Sequence, residues 1–412
     1  MKVEELLKYN IPREFIQKFR EEKIERLFPP QKEAIKKGFF DEKNLVLSVP
    51  TAAGKTFTAT LAVINKLIKS RSKAVYIVPL VALAYEKYLY YKKLFADKWK
   101  VAISVGDLDS TDPWLADYDL IVCTTEKLDS LIRHGVSWAR NIELIVVDEI
   151  HLINDASRGP ALEILLTRLR EIVPSAQIVA LSATIHNAKD IADWLDAELV
   201  VSDFRPVKLY EGVCNDAKIK FFDKDGYTLS LEQEAGITEN TLRLGKQVLF
   251  FVATRRYAES LAEKLIKVVK PHLNRNERER LVGLSEEALN ALESPTRQCR
   301  KIARCIKNGV AFHHAGLVSK QKRLIEENFR NGLIKTIVAT PTLALGVNLP
   351  AFRVVVRDTK RYYHGLGSIR IPVLEYKQFV GRAGRPQYDS FGESVLIAKS
   401  EAEAQELVDR YI

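Results

Sequence analysis

Three short segments of this chain carry residue types suited to phosphate chemistry. The first is Pro50-Thr51-Ala52-Ala53-Gly54-Lys55-Thr56, which follows an apolar run at 45–49 and precedes a helical pattern at 57–68. Backbone N–H groups of such a loop, with the positive end of a helix behind them, favour a polyphosphate. Lys55 can reach the β and γ phosphates, and the Thr56 hydroxyl can ligate Mg²⁺. One departure stands out: Val49 occupies the place of the usual first Gly. The second segment is the apolar run 144–147 followed by Asp148-Glu149-Ile150-His151. A carboxylate at the C-terminal edge of a buried strand faces the crevice where α/β proteins bind ligands. There Asp148 would hold Mg²⁺ through water, while Glu149 would orient and deprotonate an attacking water. The third is Gln378-Phe379-Val380-Gly381-Arg382-Ala383-Gly384-Arg385-Pro386. Arginines three residues apart lie on one side of a helix or turn. A guanidinium keeps its proton, so Arg382 and Arg385 can stabilise charge on a transferring phosphoryl group.

These segments need a scaffold, and the hydrophobic pattern supplies one. Strands are expected at 45–49, 74–78, 101–105, 120–123, 144–147, 177–181 and 198–202, with helical patterns such as 161–172 between them. The pattern restarts with strands at 207–213, 218–222, 247–252, 310–313, 336–339, 353–357 and 394–398. Continuous apolar strands alternating with helices mean parallel sheets covered on both faces. The division falls near Phe204-Arg205-Pro206, giving α/β domains at 1–203 and 204–412. Residues 270–308 are charged and helix-prone, which predicts a helical insertion.

Composition narrows the class further. The chain has 412 residues, 47% of them hydrophobic, and 63 Lys and Arg against 53 Asp and Glu give a net charge of +10. That balance is compatible with a polyanionic partner. The N-terminus is charged at once, and the longest apolar stretch, 74–85, is too short to span a bilayer and contains Pro79. A soluble, cytoplasmic protein without a membrane partner is expected. The four cysteines form no Cys-x-x-Cys pair, so neither a zinc site nor a disulfide framework is indicated. Adjacent His313 and His314 would point to opposite faces of a strand, which disfavours a metal site there.

The three segments together resemble those of superfamily 2 nucleic-acid helicases, and within them the Ski-like group. The archaeal Holliday junction migration helicases, related to the helicase domain of DNA polymerase theta, are similar over essentially the whole chain. The motifs occur in that family's order. Phe28-Pro29-Pro30-Gln31 resembles the Q motif, in which Gln31 would read adenine through its side-chain amide. Pro50 to Thr56 resembles motif I. Val78-Pro79-Leu80-Val81-Ala82-Leu83-Ala84 resembles motif Ia, and Thr124-Thr125-Glu126-Lys127 motif Ib. In the family both contact the nucleic-acid backbone, which implies that role for Pro79, Leu80, Thr124 and Thr125. Asp148 to His151 is motif II. Ser182-Ala183-Thr184 is motif III, which links hydrolysis to strand movement, with His151 in the same coupling group. Phe250 to Arg255 resembles motif IV, placing Thr254 and Arg255 on the nucleic acid. The stretch 311–317 is typical of the group. Thr340 to Pro350 resembles motif V, with Thr340 and Thr342 toward nucleic acid and Gly346 toward ATP; Leu345 departs from the family's usual Ala.

The resemblance implies two tandem RecA-like domains, a β-hairpin in the second, and ATP with Mg²⁺ between the domains. It further implies 3′ to 5′ movement along single-stranded and forked DNA, nucleoid association, replication or recombination proteins as partners, and a monomeric motor. Winged-helix and ratchet domains of the family would follow the last strand and are expected to be missing. Between motifs V and VI, Tyr362, Tyr363 and His364 lie among basic residues and two turn-forming glycines. Aromatic rings can wedge between bases while cations hold phosphates, so this segment is assigned as a strand separator. Two readings remain beside a DNA helicase: a Ski-like RNA helicase, and a nucleotide-switched binding module without turnover. A small-molecule kinase would not account for the Gln378 to Arg385 segment.

Overall fold

A computed structural model of the chain describes residues 1–69, 72–96, 98–343, 349–363, 367–386 and 388–412, apart from the Tyr363 side chain. The chain divides into two units, Met1–Pro206 and Val207–Ile412. This division lies slightly beyond the place read from the sequence. Phe204 stays with the first unit because its ring packs on Phe28, with centroids 5.2 Å apart.

In the first unit the strands are β1 (Leu45–Ser48), β2 (Lys73–Val78), β3 (Val101–Ser104), β4 (Leu120–Thr124), β5 (Ile142–Val147), β6 (Gln177–Ser182) and β7 (Glu198–Val201). Among the described residues they form one sheet in the order β3-β4-β2-β5-β6-β1-β7, with every pairing parallel. Alternation of side chains divides each apolar run between two cores. Leu45, Leu47, Tyr76, Val78, Leu144 and Val146 face one layer. Val46, Val75, Ile77, Ile145 and Val147 face the other. Each large side chain so buried contributes roughly 1.5–3 kcal/mol of transfer free energy.

The order of the strands matters more for the site than their number. The chain leaves β1 and next joins the sheet at β2, and β5 and β6 are later inserted between these two. Adjacent parallel β5, β6 and β1 therefore end at one edge, where the chain continues into Asp148, Ala183 and Val49 respectively.

The second unit contains β8 (Lys208–Asn215), β9 (Lys218–Phe221), β10 (Tyr227–Thr228), β11 (Val248–Phe251), β12 (Val310–His313), β13 (Thr336–Ala339), β14 (Arg353–Val356), β15 (Lys360–Tyr363), β16 (Gly367–Arg370) and β17 (Phe391–Ala398). The sheet order is β10-β9-β8-β17-β14-β11-β13-β12. Pairings from β8 through β12 are parallel, whereas β9 and β10 add an antiparallel edge. β15 and β16 form the separate hairpin. The charged 270–308 stretch folds as helices Arg275–Leu289 and Arg297–Ile306. Asn274 and Glu277 start the former with reciprocal side-chain bonds to each other's backbone N–H, at 2.9 and 3.0 Å.

One buried ion pair crosses the middle of this sheet. Arg353 and Glu393 are fully buried, and Arg353 Nε donates to Glu393 Oε2 at 2.6 Å. The guanidinium also reaches Asn240 Oδ1 at 2.9 Å and Thr241 Oγ1 at 2.8 Å, while Lys224 donates to Glu393 Oε1 at 2.5 Å. No helix among the described residues is long and apolar enough to cross a membrane.

Candidate nucleotide-binding site

The loop after β1 is shaped by two residues with positive φ, Ala52 at 68° and Gly54 at 89°. A Cβ at Gly54 would lie 2.1 Å from Gln31 Nε2, so the position admits only glycine without movement. Gln31 is buried and ties the loop to the first helices. Its Nε2 donates to Gly54 O at 3.2 Å, and its Oε1 accepts from Phe28 N–H at 2.7 Å. The residue read as an adenine sensor is thus also a brace for the phosphate loop. Lys55 begins the helix Lys55–Lys69, and its ammonium arches back to Val49 O at 3.1 Å. Val49 itself extends the strand: its N–H donates to Ser182 O at 3.2 Å and its side chain is buried. A position that continues β-pairing has no need of glycine, which explains the departure noted in the sequence.

Asp148 follows β5 and is buried. Its Oδ1 accepts from Glu149 N–H at 3.1 Å, and its Oδ2 accepts from Tyr76 OH at 3.2 Å. The Lys87 ammonium lies 3.7 Å from Oδ2 and donates to Thr56 Oγ1 at 2.9 Å. Burial raises the Asp148 pKa, and the charges of Lys87 and Lys55 oppose that rise. The Thr56 hydroxyl and the Asp148 carboxylate are hard oxygen donors, the kind that suits Mg²⁺. Lys87 and Tyr76 were missed in the sequence. The available signal was register: Ala84, Lys87, Tyr91 and Leu94 form the buried stripe of the helix Val81–Phe95, so a lysine sits where an apolar residue belongs.

Glu149 is half-buried and adopts a left-handed conformation, φ 55° and ψ 45°. For a glutamate this is a strained state of the kind found at functional sites. Its Oε2 lies 3.4 Å from His151 Nδ1. The same nitrogen accepts from Ala183 N–H at 3.3 Å and lies 3.5 Å from Ser182 Oγ. An accepting Nδ1 assigns the ring proton to Nε2. Burial lowers the His151 pKa, with Glu149 opposing and Lys55 adding to the effect. Ser48 Oγ completes the link by donating to Ala183 O at 3.2 Å. The segments read as motifs I, II and III are thus neighbours in this unit: Thr56 meets Asp148 through Lys87, and His151 meets Ala183. Thr184 is exposed beside it.

A cleft at this edge is lined by Asp148 and Glu149 together with Pro79, Thr125, Glu126 and Arg158. Two residues read as nucleic-acid contacts, Pro79 and Thr125, thus border the carboxylates. Leu80 is half-buried beside Pro79. Thr124 is buried, and its Oγ1 accepts from Lys127 N–H at 3.4 Å as a helix cap.

In the second unit Gln378 lies on the helix Val373–Val380, and Arg382 follows in the turn after it. The turn is fixed to the strand side by Ala351 N–H on Arg382 O at 2.9 Å and Gly384 N–H on Ala351 O at 2.7 Å. Both arginines are half-buried. Arg385 Nε donates to Asp389 Oδ2 at 2.9 Å, Nη2 to Asp389 Oδ1 at 3.2 Å, and Nη1 to Gln247 Oε1 at 2.6 Å. Lys246 donates to the same carboxylate at 2.6 Å. These contacts lower the Asp389 pKa despite burial, which alone would raise it.

Thr254 is exposed and caps its helix by accepting from Tyr257 N–H at 3.2 Å, and Arg255 is exposed beside it. Thr340 and Thr342 hydroxyls are 3.0 Å apart. Tyr362 on β15 is 73% exposed. The hairpin's base is held by Arg370, whose Nε donates to Glu406 Oε1 at 2.9 Å and whose Nη2 donates to Glu406 Oε2 at 2.7 Å. Gly346, Leu345, His364 and the Tyr363 side chain lie outside the described residues.

The DEAD/DEAH box helicase family matches residues 28–191, and the helicase conserved C-terminal domain family matches residues 290–387. The chain is 47% identical over 420 residues to the ATP-dependent DNA helicase Hel308 of Methanocella arvoryzae. Identity is 46% over 412 residues to Hel308 of Pyrococcus abyssi, and 40% over 414 residues to that of Caldivirga maquilingensis. Each match covers 100% of this chain and 56%, 56% and 54% of the respective relative. The chain therefore spans about half the length of these relatives.

Proposed function

We infer that this chain, a superfamily 2 helicase homologous to the archaeal Hel308 proteins, is an ATP-driven motor that moves 3′ to 5′ on DNA in repair and replication restart. The assembly of Lys55, Thr56, Asp148, Glu149 and His151 at one sheet edge is the observation that carries the ATP-driven part of this reading, while DNA, direction and pathway rest on the family resemblance. Pro50 to Thr56 cradle the triphosphate, and Lys55 offsets its charge. Thr56 and Asp148 would hold Mg²⁺, which when bound neutralises charge on the phosphates. Glu149 accepts the proton of the attacking water. The strained backbone at Glu149 aims that carboxylate, so its direction does not depend on a flexible turn. A proton arriving on Glu149 has His151 Nδ1 close by, and His151 in turn contacts Ser182 and Ala183. We assign these contacts as the path by which hydrolysis is felt at motif III.

Gln378, Arg382 and Arg385 are assigned to recognition of the transferring phosphoryl group. Pro79, Leu80, Thr124, Thr125, Thr254, Arg255, Thr340 and Thr342 are assigned to the DNA backbone. Of these, Thr124 and Thr125 are too buried to offer much side chain, so their contribution would run through backbone N–H groups. Tyr362, Tyr363 and His364 are assigned to strand separation.

The test is ATP hydrolysis with and without single-stranded DNA, and with RNA of equal length, for wild type and Glu149→Gln. The variant should lose at least 10²-fold in turnover and keep its affinity for a non-hydrolysable ATP analogue. Unchanged hydrolysis in the variant would refute the assignment of Glu149. Equal stimulation by RNA would favour the RNA helicase, and DNA binding without turnover would favour the switched module.

A further inference from the structure

Lys87 is a charged residue on a buried helix face, and none of the motif assignments gives it a role. Its ammonium donates to Thr56 Oγ1 at 2.9 Å and lies 3.7 Å from Asp148 Oδ2. The Lys87 and Asp148 side chains are 8% and 9% exposed. Tyr76 closes the group, with its OH on the same carboxylate oxygen and its ring centroid 5.9 Å from the ammonium. The two oxygens that Lys87 faces are the two assigned above to Mg²⁺. We propose that Lys87 is a resident counterion of the metal position, which holds Thr56 and Asp148 before a divalent cation arrives and competes with that cation for them.

Three physical points support this. A buried carboxylate is costly without a compensating charge, and Lys87 supplies one from within the protein. A second cation brought to the same oxygens meets strong repulsion, because a site this buried screens charge poorly. Lys87 lies on the buried stripe of its helix with Ala84 and Tyr91, and a four-carbon chain lets the ammonium pivot while the stem stays buried. The consequence is an order of binding. The metal alone is excluded, and the negative charge of a polyphosphate is needed to let both cations share the site.

The inference rests on the assignment of Thr56 and Asp148 as metal ligands, and the test separates the two. Thermal melting of the full chain is measured with and without MgCl₂ in the absence of nucleotide, for wild type and Lys87→Met. Binding of a fluorescent ADP analogue is then titrated against MgCl₂. Wild type should melt at the same temperature with or without Mg²⁺, whereas Lys87→Met should be stabilised by Mg²⁺ alone. The variant should also reach half-maximal ADP binding at roughly tenfold lower Mg²⁺, a difference of about 1.4 kcal/mol. Stabilisation of the wild type by Mg²⁺ alone, or the same Mg²⁺ requirement in both proteins, overturns the role of Lys87. If ADP binding is indifferent to Mg²⁺ in both, the ligand assignment falls and the inference with it. Should Lys87→Met fail to fold, Lys87→Arg keeps the charge and must keep the wild-type indifference to Mg²⁺ alone.

Discussion

Replacing Asp389 by Asn should unsettle Arg385 without touching any residue of the phosphate loop. In the folded chain the Asp389 carboxylate is fully buried and accepts from the Arg385 backbone N–H at 3.0 Å, from its guanidinium at 2.9 and 3.2 Å, and from Lys246 at 2.6 Å. Asn preserves the shape but removes the charge and turns an N–H₂ toward two cations. Deleting one partner of a buried ion pair costs about 3–5 kcal/mol. Here the Arg385 and Lys246 side chains are 18% and 29% exposed, and Asn keeps one acceptor. Solvent screening then brings the expected loss to about 2–3 kcal/mol. For a unit of this size that is a fall of about 4–12 °C in Tm. Calorimetry of the full chain at neutral pH measures it. The pH dependence supplies a second check. The folded pKa of Asp389 lies below its ordinary value of 3.8, so its contribution is present above that value and is lost as pH falls through the folded pKa. The gap between wild type and variant should therefore close in acid. DNA-stimulated kcat should fall with KM for ATP within about threefold, because Arg385 loses its aim while the loop is intact. A Tm shift below about 1 °C, or a gap that widens in acid, would refute the reasoning.

Other outcomes follow from particular contacts. Gly54→Ala should weaken binding of a fluorescent ADP analogue by at least tenfold and lower stability by about 1–3 kcal/mol, since a Cβ there meets Gln31 Nε2 at 2.1 Å on a backbone with φ 89°; equilibrium titration and urea unfolding read both. Glu393→Gln should cost about 3–5 kcal/mol in urea unfolding, because Arg353 and Lys224 would keep their charges in a buried site without a carboxylate. Tyr362→Ala, at a side chain already 73% exposed, should leave Tm unchanged while lowering forked-DNA unwinding more than DNA-stimulated ATPase; equal loss of both would argue against a wedge.

Much of this protein was legible in the amino-acid sequence because its signals are local. Runs such as 144–147 are apolar throughout, and a buried parallel strand needs nothing else. Gly54 and Lys55 are recognisable since loop conformation and phosphate reach are properties of a few consecutive residues. The hairpin was expected from the family resemblance; its first strand, Lys360–Tyr363, carries no apolar pattern of its own and is separate from the run at 353–357, which is β14. Less legible were β10, too short to carry a pattern, and the Arg353–Glu393 pair, whose partners are 40 residues apart.

What the sequence by itself determined was the set of chemical groups and the strands that end in them. Tertiary structure decided which groups meet. Parallel pairing of β1 with β6 and β6 with β5 brings Ser48, Ser182 and Asp148 to one edge, although more than 130 residues separate the first two. Helix register alone turns Lys87 inward, and only the packing of that helix against β2 and the phosphate-loop helix carries its ammonium to Thr56 and Asp148. Likewise, Gln31 became a brace for Gly54 through a contact spanning 23 residues. Charge and hydrogen-bonding capacity belong to each residue, but pKa, strain and competition for a site depend on distances that strand order and burial set.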